Sequence, residues 1–66
     1  MLNSKELNTI WGLLECYKME LEKQNREAAS KGLVTADSTP SFYFNNIRNI
    51  NEIKALQMRI NEETAE

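Results

Sequence analysis

Apolar residues recur along the first half of the chain at intervals of three and four: Leu7, Ile10, Trp11, Leu13, Leu14, Tyr17, Leu21 and Ala28. At the pitch of an α-helix they fall within about half of the circumference. Written as heptads, Leu7, Leu14, Leu21 and Ala28 share one seam position, and Ile10, Tyr17 and Gln24 share the other. A second stripe follows, through Phe42, Tyr43, Ile47, Ile50, Ile53, Leu56 and Ile60, and it too covers about half a helix. The pattern predicts two amphipathic helices, over about 4–31 and 40–63, in one helical-hairpin domain spanning 1–66.

The punctuation agrees with these limits. Asn3 and Glu6 have the spacing of a capping box, flanked by Leu2 and Leu7 at the positions of a hydrophobic staple. The first helix should therefore begin at Ser4. Gly32 stands where a left-handed cap ends a helix, and Leu33 can fold back over Ala28 or Ala29 in a Schellman motif. Gly12 is the one weak interior position. Residues 33–39 form the connection. Thr39-Pro40 reads as an N-cap followed by a first helical residue, with a later start near Asn45 or Asn46 as the alternative. Nothing caps the far end, so 62–66 should fray.

Two long helices with a short link predict an antiparallel hairpin. The expected register sets Ile10 against Ile60, Leu14 against Leu56, Tyr17 against Ile53 and Leu21 against Ile50. Ala28 then faces Phe42 or Tyr43. That last level bears on the run Ser41-Phe42-Tyr43-Phe44, which gathers three of the five aromatics behind the only proline. Helix 1 offers only alanines as bulk near its end, so these aromatics are expected to fill the layer, large against small. Phe44 does not fit the stripe.

An apolar arc half a helix wide exceeds what one neighbour covers. At 66 residues the chain also has little room for a core. The usual staples are missing: Cys16 is alone and there is no histidine. The expected remedy is company, either a second copy closing a four-helix bundle or a different protein.

Catalytic and ligand chemistry finds no footing. Cys16 lacks a histidine to activate it. Glu15, the pair Glu20 and Glu22, and the pair Glu62 and Glu63 have the spacing of solvated helix faces. Gly12 and Gly32 are too far apart for a phosphate loop. No cofactor and no metal site is expected, and the chain reads as non-enzymatic. Net charge is −2, too balanced to point to nucleic acid or membrane. Glu22 with Arg26 and Glu27 with Lys31 are spaced for ion pairs along the helix. Lys23, Arg26, Lys31 and Arg48 are the candidate contacts of an alternative reading as a dimeric nucleic-acid-binding bundle. The start of the chain lacks the basic and apolar runs of a signal peptide, so a cytoplasmic location is expected. Usage rich in Lys, Glu, Asn and Ile accompanies AT-rich genomes, which suggests a bacterial or phage origin.

The residues left over are Trp11 and Leu13 at opposite margins of the first stripe, and Met19, Phe44 and Met58 off the stripes. Such side chains suit binding surfaces. They are the candidate contacts to a partner or a second copy. The expected function is a small protein-protein interaction module, a homodimer acting as regulator, inhibitor or assembly factor of a larger protein. A purely structural oligomerisation module is the other alternative.

Overall fold

A computed structural model describes residues 2–64 of the chain. Two helices, α1 (Ser4–Ser30) and α2 (Ser41–Thr64), pack against each other as an antiparallel hairpin, and no strand occurs among the described residues. The hairpin is 47 Å long and 15 Å across.

Both ends of α1 follow from local chemistry. The Asn3 side chain accepts from the Glu6 amide at 2.8 Å, and the Glu6 carboxylate accepts from the Asn3 amide at 3.1 Å. Two of the donors that a helix start leaves open are thereby satisfied. At the other end, Gly32 takes φ 75°. Its amide reaches the Ala29 carbonyl, and the Leu33 amide reaches that of Ala28, which is the Schellman arrangement. Beyond it the link bonds to itself. The Thr35 amide and hydroxyl both donate to the Ser38 carbonyl, and the Ser38 amide donates to the Thr35 hydroxyl.

α2 starts directly after Pro40, which settles the choice of starts in favour of the earlier one. Thr39 does not act as the expected cap, because its hydroxyl donates back to the Thr35 carbonyl. Helical geometry continues through Glu62 and Glu63 to Thr64; the rest of the expected tail, 65–66, lies outside the described residues.

The seam between the helices sits one residue away from the expected register. Leu21 with Ile50 is retained, and with Ile53 these form the buried cluster against which Leu14 packs. Leu56 and Tyr17, however, are 47% and 52% exposed. Gln57 turns inward in place of Leu56, and half-buried Lys18 replaces Tyr17. The inward rows run Leu7, Trp11, Leu14, Lys18, Leu21, Asn25, Ala28 on α1 and Tyr43, Asn46, Ile50, Ile53, Gln57, Ile60, Thr64 on α2. Each alternates steps of three and four, as an a/d seam requires. The aromatic run is corrected accordingly. Only Tyr43 enters the seam. Phe42 and Phe44 are exposed, the latter packed edge-on against Tyr43 at 6.0 Å between ring centres.

The polar seam residues are satisfied in two clamps. The Asn46 amide donates to Asn25 at 3.0 Å and to Gln24 at 3.2 Å, and the Asn25 amide donates to the Tyr43 carbonyl. Nearer the open end, the Gln57 amide donates to the Trp11 carbonyl and the Glu15 carboxylate. Buried amides without such partners are costly, so these contacts fix the register as firmly as the apolar ones.

A Cβ at either glycine meets nothing within 4 Å, but only Gly32 has a positive φ, so the two give substitutions of opposite sign. Gly12→Ala should stabilise by up to about 1 kcal/mol, the helix-interior difference. Gly32→Ala should destabilise by about 1 kcal/mol or more, because alanine resists the left-handed cap. Thermal melts followed by circular dichroism check both; equal signs would refute the cap.

Candidate functional site

With the seam removed, the remaining apolar side chains divide between the two sides of the hairpin. On one side, the row next to the seam carries Ile10, Tyr17, Gln24 and Lys31 on α1 and Phe42, Asn49 and Leu56 on α2. A shallow groove lined by Gln24, Glu27, Ala28, Lys31, Leu33 and Phe42 shows that these two rows border the same side. Leu13, 67% exposed, lies in the next row outward. This face is apolar in its open-end half, around Ile10, Leu13, Tyr17 and Leu56. Toward the turn it carries Gln24, Asn49 and then Phe42.

The opposite face is mixed. Its seam-side rows are Asn8, Glu15, Glu22 and Ala29 on α1 and Ile47, Lys54 and Asn61 on α2. The next rows outward carry Met19 and Arg26 on α1, and Phe44 and Met58 on α2. Met19, Phe44 and Met58 are each at least three-fifths exposed. Apolar tips here stand among charges of both signs; the first face keeps its charges, Glu20, Glu27, Glu52 and Arg59, to its outer rows and is uncharged in the middle of the rows beside the seam.

The candidate contacts thus separate. Met19, Phe44 and Met58 belong to the mixed face, and Leu13 to the apolar face. Trp11 is not at a surface margin. It is half-buried in the seam of its own hairpin, with its carbonyl bonded to Gln57 and its indole N–H buried without an acceptor. Ile10, Tyr17, Phe42, Ile47 and Leu56 were assigned to the intrachain stripe by sequence, and the structure moves them outward. A signal for this was available: the steps through Trp11, Lys18 and Asn25 form an equally regular heptad, hidden by its polar members.

The bases do not form one surface. Lys23 and Arg26 share a groove with Glu20, Glu22, Cys16 and Met19. Lys31 borders the other side, beside Gln24 and Phe42. Arg48 reaches the Asn45 side chain on its own helix at 3.4 Å. The expected pairs Glu22–Arg26 and Glu27–Lys31 are not formed, and among the described residues the one ion pair is Lys18–Glu15 at 2.9 Å. Cys16 is exposed. Among the described residues no helix is long and apolar enough to cross a membrane.

Glu15 couples the mixed face to the seam. The Lys18 ammonium hydrogen-bonds its carboxylate and holds the pKa below the usual 4.5. Partial burial opposes this, and the Gln57 amide lowers the value again. A carboxylate whose folded pKa is depressed adds stability above its unfolded pKa and loses it as pH falls through the folded one. Solvent access keeps the contribution small. Glu15→Gln should therefore reduce the melting temperature at neutral pH, with the difference from the parent shrinking below about pH 4. Parallel pH profiles would exclude the coupling. Comparison with family models, curated proteins and solved structures found no match.

Proposed function

We propose that this chain is a non-enzymatic protein-protein interaction module. In this reading it acts as a homodimeric four-helix bundle, in the cytoplasm of a bacterium or of a phage-infected cell. It regulates, inhibits or helps assemble a larger protein by covering part of that protein's surface.

One observation carries the reading. Among the described residues ten large apolar side chains are exposed while five apolar residues form the buried core. Isolated exposed apolar residues are ordinary on a monomer. Here they outnumber the core and occupy both faces of a two-layer hairpin, which favours surfaces built to be covered. The two faces also suit different tasks. An uncharged middle with clustered aliphatics resembles the inside of a bundle. Methionine and aromatic tips among charges resemble the surface of a reversible complex, where apolar anchors sit within a polar rim. Met19, Phe44, Ile47 and Met58 are the anchors of that second surface, and Arg26, Glu22 and Lys54 its rim.

The test is affinity purification with the tagged chain and with the double variant Phe44→Asp, Met58→Asp, each checked for dimerisation by sedimentation. The parent should recover one protein in near-stoichiometric amount. The double variant should stay dimeric and lose it. Recovery of nothing specific by the parent, or equal recovery by both, would overturn the assignment.

A further inference from the structure

We infer that the apolar face receives a second copy of this chain with both turns at the same end, so that α1 of each copy lies antiparallel against α2 of the other. This rests on the homodimer reading above and adds its surface and orientation.

The area fits a second copy. The hairpin exposes 5110 Å², which is about 800 Å² more than a folded monomer of its mass usually shows. A standard interface removes about 800 Å² from each partner. The face that can supply this runs the length of both helices, and in the rows beside the seam its charges are confined to the ends, Lys31 at the turn and Glu63 at the open end. The mixed face carries Glu15, Glu22 and Lys54 in the equivalent rows. Closing a bundle over those groups would desolvate charges that have water now.

The orientation follows from where the bulk lies. Two hairpins stacked by a two-fold axis close an all-antiparallel bundle in two ways, with turns together or turns apart. The Asn25–Asn46 bond fixes which residues of the two helices share a level. With turns together, α1 meets α2 of the second copy at its own level. Ile10, Leu13 and Tyr17 then surround Leu56, Gln24 meets Asn49, and the Lys31 stem lies along Phe42. With turns apart, α1 meets α1 head to tail. Ile10 then falls opposite Gln24, Leu13 opposite Glu20, and Phe42 toward Glu63. In that second arrangement Tyr17 alone meets an apolar residue, its own copy; the first sets apolar on apolar around Leu56 and amide on amide at Gln24 and Asn49. Unmatched buried amides are the costly alternative. Glu20 and Glu52 share a level on the outer rows, where solvent and salt screen their repulsion.

Sedimentation and distance measurement between spin labels separate the outcomes. The label goes on Asp37→Cys in the loop, in a Cys16→Ser background. The expected result is a dimer with the two labels roughly 20–30 Å apart, a few interhelical spacings. A dimer with labels separated by about the 47 Å length of the hairpin would overturn the orientation and leave the homodimer reading intact. A monomer at high concentration would overturn both. Leu56→Glu, at a site already exposed in the hairpin, should weaken dimerisation more than tenfold with helix content retained, and Met58→Glu should not. Equal effects of the two would overturn the choice of face.

Discussion

The hydrogen bonds of Asn46 and Gln57 are the constraint on which this hairpin depends. An amide carried into a helix seam must find partners there, and only one register offers them. Asn46 finds Asn25 and Gln24, and Gln57 finds the Trp11 carbonyl and Glu15. The apolar residues alone would tolerate a shift, because aliphatic contacts are not directional. The two clamps sit toward opposite ends of the hairpin and remove that freedom. A polar residue at a seam position commonly trades stability for a defined pairing.

That trade shapes everything outside the seam. Each inward amide or ammonium displaces an apolar residue that the stripe would have placed there. Gln57 displaces Leu56, and Lys18 displaces Tyr17. Tyr17 and Leu56 come to lie on the side of the hairpin away from Glu15, while Ile47, displaced by Asn46, falls on the charged side. The distribution of these residues between the faces is thus a by-product of where Asn, Gln and Lys enter the seam.

The fold was largely legible because its signals are local. Asn3 with Glu6 and Gly32 with Leu33 fix the ends of α1 within a few residues of sequence, and Pro40 marks the approach of α2. The antiparallel plan follows from a link too short for anything else. The seam was legible only in part. The row through Leu7, Leu14, Leu21 and Ala28 is retained, but its companion row moves by one residue, from Ile10 and Tyr17 to Trp11 and Lys18, which turns the inward face by about half of the 100° per residue. The apolar arc is broader than the seam it supplies, since Tyr17, Phe42 and Leu56 lie outside that seam and exposed. Its centre lies beside the seam, at Ile10 and Tyr17 on α1 and at Leu56 on α2. Hydrophobicity counts Asn25, Asn46 and Gln57 as surface residues, whereas geometry buries Asn46 and Gln57 and half-buries Asn25. The sorting of Met19, Phe44 and Met58 away from Leu13 follows from that rotation, so it could not be read before the register was known.

The unbonded indole of Trp11 has a practical side. It is the chain's single tryptophan, held between the helices at the level of Gln57, where water does not reach its nitrogen. Indole emission moves to longer wavelength on hydration, so separation of the two helices carries an intrinsic optical signal. The molecule reports its own opening without a dye, and the spectral shift isolates the seam from events on either outer face.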